Sequence, residues 1–318
     1  MERHLTDADL ARDLRADVSH GLRAQPKTLP PKWFYDARGA ALFEDITRTE
    51  EYYPTRAERA ILSDQAPAIA AASGADTLLE LGAGSAEKTR LLLDALGEAG
   101  TLRRYIPVDV SGEALTETVA RTGREYPGVE IHGVIADFEQ HLRLLPNGGR
   151  RLIAFLGSTI GNLRPPDRIA FLRTVRKDMT DGDALLLGTD LVKDRARLLA
   201  AYDDAGGVTA EFNRNVLHVI NREIGSNFAP ERFQHVVMWD DANEWVEMRL
   251  RSSQDQRIRL ASLDLTVEFA EGEDLHTEIS AKFRREGVES DLCDAGLTLR
   301  RWWTDPSGDF ALSLAVAD

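Results

Sequence analysis

Short apolar runs alternate with amphipathic segments through the middle of the chain, and this alternation restricts the possible folds more than any other feature. The apolar runs have the length of buried strands, and the amphipathic segments have the period of a helix. The predicted strands are 77–82, 103–110, 129–137, 151–158 and 184–190, and the predicted helices are 87–97, 112–126 and 166–179. Strands that alternate with helices predict an α/β fold with a doubly wound parallel sheet.

The alternation stops after Lys193, and a different pattern follows. The predicted elements there are a helical stretch at 194–222, an antiparallel meander at 232–240, 244–253, 257–269 and 277–283, a helix near 288–296 and a terminal hairpin at 297–305 and 310–317. A hairpin of this kind can complete the edge of the parallel sheet. We therefore predict two discontinuous domains, one of residues 58–194 and 282–318, and the other of residues 1–57 and 195–281.

The charge balance limits the kinds of partner. Lys and Arg number 39 against 53 Asp and Glu, which gives a net charge of −14. A field this negative opposes binding to nucleic acid or to an anionic membrane. The apolar runs are too short to span a bilayer and no apolar signal core begins the chain, so we expect a cytoplasmic monomer that acts on a small molecule. Cys293 is the single cysteine and the histidines lack HxxxH or HExxH spacing, so no metal site is expected.

The segment TLLELGAGSAEKTRLLLDAL, residues 77–96, predicts a strand, a glycine turn and a helix. Glycines there let the backbone approach a ligand closely, and a dinucleotide would place its pyrophosphate at the helix N-terminus. Glu87 occupies the third position of the dinucleotide fingerprint and Glu80 ends the strand, so two carboxylates would repel a diphosphate. They suit a cationic ligand such as S-adenosylmethionine (SAM), which has no phosphate. A plain turn, or NAD binding by an oxidoreductase, is the alternative interpretation.

Other residues of this region could contact the same ligand. Asp109 ends the second strand, where a carboxylate can bind ribose hydroxyls; capping the next helix is its alternative role. Asp137 and Phe138 follow the third strand, where the acid can accept from the adenine amino group and the ring can contact the base, unless they form an ordinary turn. Lys88 could hold the SAM carboxylate, or could be an exposed helical lysine.

Seven stretches, in order over nearly the whole chain, resemble the histidine-specific SAM-dependent Nα-methyltransferases of ergothioneine biosynthesis, which make hercynine, the trimethyl betaine of histidine. The stretches are LPPKWFYDARGAALFEDITRTEEYYPTR, LELGAGSAEKTRLLLDAL, FLGSTIGNL, LLLGTDLVKD, AYDDAGGVTAEFNRNVL, TEISAKF and WWTDPSGDFALSLA. The resemblance implies a Rossmann-like class I SAM-dependent methyltransferase domain and a second, substrate-binding domain of α+β type. It also implies that three methyl groups pass from SAM to the α-amine of L-histidine by direct in-line displacement, without a metal.

The resemblance assigns two sets of contact residues. The cofactor set is Gly82, Lys88, Asp109, Asp137 and Phe138. The substrate set is Tyr52, Asn162, Tyr202, Glu278 and Ser280, with Phe43, Met248 and Tyr35 as walls of the pocket. Asn162 and Tyr52 are the expected catalytic residues.

Glu278 and Ser280 lie two residues apart on a predicted strand, so their side chains share a face. Glu can accept from one imidazole N–H while Ser pairs with the other ring nitrogen, which would distinguish histidine from phenylalanine or leucine. The alternative is a solvated strand face with alternating polar residues.

Asn162 follows the fourth strand, at the edge where ligands bind in open parallel sheets, and its carbonyl can accept from the substrate amine; a turn asparagine is the alternative. Tyr52 and Tyr202 offer phenolic donors to a substrate carboxylate, although packing before a helix or in the core would also explain them. The rival functions are methylation of a different amine, NAD-dependent oxidoreduction, and SAM binding without catalysis.

Overall fold

The computed structural model describes residues 1–317, and its helices and strands are numbered in chain order. The strands are β1 (Glu2–Arg3), β2 (Lys27–Thr28), β3 (Thr77–Leu81), β4 (Arg104–Asp109), β5 (Glu130–Ile131), β6 (Val134–Ile135), β7 (Arg151–Phe155), β8 (Ala184–Asp190), β9 (Phe233–Asp240), β10 (Trp245–Ser252), β11 (Gln256–Leu260), β12 (Leu265–Phe269), β13 (Asp274–Ala281), β14 (Leu297–Thr304) and β15 (Phe310–Ala317). The helices are α1 (Asp7–Gly21), α2 (Ala37–Arg48), α3 (Pro54–Ser73), α4 (Arg90–Glu98), α5 (Gly112–Glu125), α6 (Phe138–His141), α7 (Pro165–Asp178), α8 (Arg195–Tyr202), α9 (Val208–Ile224) and α10 (Arg285–Asp294).

These elements form two compact units. The first unit comprises Met1–Leu5, Pro54–Val192 and the described chain from Lys282 onward. The second unit comprises Thr6–Tyr53 and Lys193–Ala281.

The first unit contains a nine-stranded sheet. Its strand order is β1-β6-β4-β3-β7-β8-β15-β14, with β5 also paired to β4. The strands from β1 to β8 in this order pair in parallel. Every residue of β3, β7 and β8 is buried, which is typical of parallel strands covered on both faces. The predicted doubly wound parallel sheet is therefore confirmed.

The direction of winding reverses beside β3. The chain runs outward from β3 to β4 and β6, and then returns to the other side of β3 with β7 and β8. Ligands of open α/β sheets bind at such a switch point, outside the carboxyl ends of the strands. The segments that follow β3 and β7 therefore border the edge where a ligand is expected.

The terminal hairpin predicted from the sequence is β14 and β15, and β15 also pairs antiparallel with β8. β15 thus lies inside the sheet, between β8 and β14, and its residues from Phe310 to Ala315 are buried. α3 packs against α4 and β15, and apolar residues of these elements share a core with β3 and β7. The hairpin is therefore part of the core of the first unit.

The second unit has the α+β composition that the sequence predicts. Its main sheet has the order β2-β13-β10-β9, in which β13, β10 and β9 are antiparallel and β2 runs parallel to β13. α9 packs against α2 and against β9 and β10. The core contains Val216 and Ile220 from α9 and Val246, Met248 and Leu250 from β10.

The structure divides three predicted elements. The predicted strand 129–137 is two short strands, β5 and β6, and the predicted helix 194–222 is interrupted between α8 and α9. Gly207 in that interruption has a φ of +73°, which favours glycine. The predicted strand 257–269 is the β11–β12 hairpin, which forms a separate sheet and does not join the meander.

The two units differ from the predicted domain bounds near the points where the chain passes from one to the other. Residues 1–5 and 54–57 belong to the first unit, because β1 pairs with β6 and α3 begins at Pro54. Lys193 and Asp194 belong to the second unit. Within residues 1–317, no helix combines the length and the apolar character that are needed to cross a bilayer.

Candidate functional site

The glycine turn leaves the carboxyl end of β3 accessible to a ligand. Gly82 and Gly84 have φ of +73° and +49°, a conformation that strains residues with a side chain. A Cβ at Gly82 would meet only the Phe138 ring, at 3.9 Å, and a Cβ at Gly84 would meet nothing within 4 Å. The amides of Gly82 and Ala83 donate to the Val108 carbonyl, which holds the turn against β4. The backbone thus permits a ligand to approach this turn closely.

Asp109 ends β4 beside this turn. Its carboxylate accepts from the amides of Gly84 and Ser111, each at 2.9 Å. Burial raises the pKa of the Asp109 carboxyl, while these hydrogen bonds lower it. Each carboxylate oxygen keeps a second lone pair, which suits two adjacent hydroxyls such as those of a ribose. Ser111 is the residue that caps α5, so helix capping does not explain Asp109.

Asp137 and Phe138 follow β6 and begin α6. The Asp137 carboxylate caps this helix by accepting from an amide of its first turn at 2.8 Å. The Phe138 ring lies beside Gly82, and its centroid is 5.2 Å from that of Phe155 and 5.9 Å from that of Phe171. The structure thus brings an aromatic ring to the glycine turn. A contact of Asp137 with adenine stays a prediction.

Lys88 is not an exposed helical lysine, which was one interpretation of the sequence. It precedes α4 and forms an ion pair with Glu58, a fully buried residue of α3. Glu58 also accepts from the Gly157 amide at 2.8 Å. One carboxylate therefore joins the segment after β3 to the segment after β7, on the two sides of the switch point.

Glu58 was missed in the sequence analysis, although α3 carries a signal for it. Ala57, Ile61 and Leu62 form the buried stripe of α3, and Glu58 lies on the same face. A carboxylate on the buried face of a helix requires a partner. Lys88 is that partner, and it is 30 residues away along the chain.

The structure corrects the prediction that Glu80 places a negative charge beside the ligand. Its side chain is buried and accepts from the hydroxyls of Thr89 and Tyr105. Burial raises the pKa of Glu80 from 4.5 to about 7, although both hydroxyls lower it. Glu80 is thus only partly ionised near neutral pH, and Glu87 is the exposed acidic residue of this region.

We expect Glu80→Gln to flatten the dependence of the free energy of unfolding on pH. The carboxyl stays protonated to about pH 7 in the folded chain, whereas its ordinary pKa is 4.5. The unfolded chain holds fewer protons between these values, so stability falls as pH rises through this window, by about 3 kcal/mol for this group. Urea unfolding between pH 5 and 8 measures the slope, with Glu117→Gln on the exposed side of α5 as the control. Equal slopes for the two variants would refute this expectation.

Asn162 ends a short 3-10 helix, Thr159–Asn162, in the segment after β7. Ser158 precedes that helix with a φ of +58°. The Ser158 hydroxyl accepts from the Asp190 amide at 2.9 Å, which fixes the segment to the end of β8. The half-buried Asn162 therefore lies at the carboxyl edge of the sheet, as predicted.

Four predicted substrate residues form one aromatic cluster in the second unit. The ring centroids of Tyr35 and Phe43 are 5.6 Å apart, those of Phe43 and Tyr52 are 6.1 Å apart, and those of Tyr52 and Tyr202 are 6.4 Å apart. Each pair meets edge to face, an arrangement that aromatic rings prefer. The residues come from both chain segments of the unit, so tertiary folding assembles this cluster.

Glu278 and Ser280 lie on one face of β13, as their spacing predicts. Glu278 pairs with Met248 of β10, and Ser280 pairs with Val246. Met248 and Val246 belong to the buried core of the second unit, and Ser280 is itself buried. Glu278 is half-buried, so this side of β13 faces the core and is not a fully solvated strand face.

The Tyr202 hydroxyl connects the aromatic cluster to β13. It donates to Ser280 Oγ at 2.7 Å, and both residues are buried. Because Ser280 accepts from Tyr202, its own proton can be directed to an acceptor such as an unprotonated imidazole nitrogen. A contact of Tyr202 with a substrate carboxylate stays a prediction, because the phenol has a partner within the protein.

The structure places the predicted residues in two groups. The five cofactor residues and Asn162 lie in the first unit, at or after the carboxyl ends of β3, β4, β6 and β7. The other seven substrate residues lie in the second unit. Among residues 1–317, no group of three or more His, Cys, Asp or Glu side chains is arranged to hold a metal ion.

Comparison with known proteins identifies the family. The model of the family described as "Histidine-specific methyltransferase, SAM-dependent" matches residues 14–317. The chain is 56% identical over 313 residues to the histidine N-alpha-methyltransferase of Mycolicibacterium smegmatis, with 98% of each chain covered. It is 58% identical over 303 residues to the histidine N-alpha-methyltransferase of Mycobacterium tuberculosis, with 95% of this chain and 94% of that protein covered. Ergothioneine biosynthesis protein 1 of Neurospora crassa is 36% identical over 221 residues, which cover 67% of this chain and 25% of that protein. The family match, together with the doubly wound sheet and its glycine turn, shows that the chain belongs to the SAM-dependent, histidine-specific methyltransferases.

Proposed function

We propose that this enzyme transfers three methyl groups from SAM to the α-amine of L-histidine and so makes hercynine for ergothioneine biosynthesis. Two relatives that share more than half of its residues are named histidine N-alpha-methyltransferase, and a fungal relative is named for ergothioneine biosynthesis. The observation that carries the proposal is the position of Glu278 and Ser280 side by side on the core-facing side of β13, next to Met248.

Glu278 and Ser280 match the two nitrogens of an imidazole ring. The carboxylate accepts from the ring N–H, and the Ser280 hydroxyl, which accepts from Tyr202, donates to the other nitrogen. Phenylalanine has no ring nitrogen and tryptophan has a single N–H, so each leaves at least one of these groups without a partner. A site built to hydrogen-bond a polar group rejects such analogues strongly.

The first unit supplies the proposed contacts for SAM. We assign Asp109 to the ribose hydroxyls, Asp137 and Phe138 to adenine, and Gly82 to the close approach of the backbone. Lys88, whose ammonium has three donors, is assigned to the SAM carboxylate in addition to its ion pair with Glu58. Bound SAM supplies a methyl group that its sulfonium already activates. The main contribution of the protein is therefore position, and holding the nucleophile in line with the methyl group can lower the barrier by about 7–11 kcal/mol.

Asn162 and Tyr52 are the proposed partners of the substrate amine. The amine must be neutral to attack, and neither side chain is a strong base, so its proton passes to water directly or by way of these two groups. The Asn162 carbonyl accepts from an amine N–H and so directs the lone pair. Each methylation replaces an N–H with a methyl group, so the contacts to the amine have to accommodate a growing group.

Mass analysis of the reaction products tests this proposal. The purified protein is incubated with SAM and with histidine, tryptophan or phenylalanine, and the mono-, di- and trimethyl forms are resolved. We expect trimethylhistidine to accumulate with three equivalents of S-adenosylhomocysteine, and little product from the other two amino acids. Preferred methylation of another amine, arrest after the first methyl group, or cofactor binding without S-adenosylhomocysteine release would contradict the proposal.

A further inference from the structure

A β-bulge at Thr277 decides which face of β13 carries Glu278. Met248 pairs with Glu278, and the next residue of β10, Arg249, pairs with His276, so Thr277 is an extra residue in the ladder. Side chains alternate between the two faces of a strand, and one extra residue inverts the alternation beyond it. The bulge therefore sets the orientation of the rest of β13.

Asp274 and His276, which alternate with the core residue Leu275 before the bulge, face the side of the sheet that is opposite the core. Asp274 accepts from Arg249 at 3.1 Å, and His276 Nδ1 lies 3.6 Å from a Glu247 oxygen. Glu247 and Arg249 alternate along β10 with the core residues of that strand, so they lie on the opposite face. Without the extra residue, Glu278 would continue this charged face. With it, Glu278 turns to the core-facing side.

A buried asparagine completes the hydrogen bonding at the bulge. Asn213, on α9, is fully buried, and its Oδ1 accepts from Thr277 Oγ1 at 2.7 Å. Its Nδ2 lies 3.1 Å from the Arg249 carbonyl oxygen, to which it donates, and 2.9 Å from His235 Nδ1. The Thr277 hydroxyl also lies 3.0 Å from the Met248 carbonyl oxygen. The single Thr277 proton serves the nearer acceptor, Asn213 Oδ1, and the Arg249 carbonyl beside the bulge has its own side-chain donor in Asn213 Nδ2.

His235 extends this arrangement to the end of α8. Its Nε2 is 2.8 Å from the Tyr202 carbonyl oxygen and must donate to it, so Nδ1 is the nitrogen that accepts from Asn213. Burial lowers the pKa of His235, which favours the neutral ring that these contacts need. The Tyr202 hydroxyl in turn donates to Ser280. The network therefore reaches Ser280 through Tyr202, and it holds Thr277, the residue that immediately precedes Glu278.

We propose that Asn213, Thr277 and His235 form a bulge network that positions Glu278 and Ser280 for the substrate ring. The three are positioning residues, because they act through the backbone of β10 and β13 and through Tyr202. The inference rests on the proposed function, since it concerns the recognition of histidine. It makes part of the substrate specificity depend on residues outside the predicted contact set.

Thr277→Val tests the bulge network, because valine keeps the shape of threonine and removes the hydroxyl. We expect the KM for histidine to rise about tenfold, because one buried hydrogen-bonding group loses its partner, while the Kd for S-adenosylhomocysteine changes less than about twofold. Thr277→Ser keeps the hydroxyl and should restore the KM. The matched control is Thr266→Val, at an exposed threonine of β12 in the same unit, and it should change neither constant.

The ratio of kcat/KM for histidine to that for tryptophan is the second measurement. Misplacement of Glu278 and Ser280 lowers kcat/KM more for histidine, which uses both groups, than for tryptophan, which can use only one. Thr277→Val should therefore lower this ratio. A residue with a merely structural role would lower the Tm and leave both the histidine KM and the ratio unchanged. That result would overturn the inference.

A second pair of variants applies if Thr277→Val does not fold. His235→Leu removes both ring hydrogen bonds and should raise the histidine KM, whereas His235→Gln keeps a donor and an acceptor and should leave it nearly unchanged. Equal KM values for this pair would also overturn the inference. If the unsubstituted protein methylates no histidine, the proposed function fails and the inference fails with it. If the unsubstituted protein methylates histidine and the variants do not change the histidine KM, only the inference fails.

Discussion

Glu278→Ala is expected to raise the Kd for histidine about 100-fold while the Kd for S-adenosylhomocysteine stays within about twofold of its original value. In the proposed complex the Glu278 carboxylate accepts a charge-assisted hydrogen bond from the imidazole, and alanine leaves the ring N–H without that partner. The proposed cofactor contacts all lie in the first unit, whereas Glu278 lies in the second, so cofactor affinity should not depend on this carboxylate. Calorimetric titration of each ligand alone measures the two constants separately.

Glu268→Ala is the matched control for this experiment. Glu268 is an exposed glutamate of β12 in the same unit, so its loss should change neither constant. If Glu278→Ala weakened both ligands equally, the proposed division of the two binding sites would be wrong. If its histidine affinity equalled that of the control, Glu278 would leave the substrate set.

Asp109→Ala is expected to have the opposite selectivity, with S-adenosylhomocysteine binding weakened about 100-fold and histidine affinity changed less than about twofold. The carboxylate is proposed to hold two ribose hydroxyls, and it also accepts from the Gly84 amide. Alanine therefore removes the ligand contacts and loosens the glycine turn together. The same two titrations measure this effect, so the variants of Glu278 and Asp109 can be compared directly.

Asp64→Ala controls for the loss of a carboxylate from the first unit. Asp64 is exposed on α3, and its removal should leave S-adenosylhomocysteine affinity unchanged. Cofactor affinity in Asp109→Ala that equals that of Asp64→Ala would remove Asp109 from the cofactor set.

The central sheet could be predicted from the sequence because its strands are recognisable from their apolar composition alone. β3, β7 and β8 are buried along their whole length and therefore appear as continuous apolar runs. The β11–β12 hairpin gave no comparable signal. Its turn ends at Asp264, which has a φ of +45°, so the glycine that usually marks such a reversal is missing.

The candidate site could be predicted only in part, because some of its geometry comes from distant residues. The spacing of Glu278 and Ser280 predicts a shared face, but the choice of face depends on the bulge at Thr277. Thr277 is held by Asn213, which is 64 residues away along the chain, so no local period reveals the bulge. Tyr52 and Tyr202 were identified through the family resemblance, because a single tyrosine has an equally good explanation in packing.

The position of β15 has a consequence for how the protein is made. This strand is inserted between β8 and β14, yet it comes after every other strand in the sequence. The second unit is complete once Ala281 has emerged from the ribosome. The sheet of the first unit, in contrast, is incomplete until Phe310–Ala317 have emerged. Until then the edge of β8 is an unpaired strand that can pair with other chains. The nascent protein is therefore most vulnerable to aggregation before Phe310–Ala317 have emerged, and at the edge of β8.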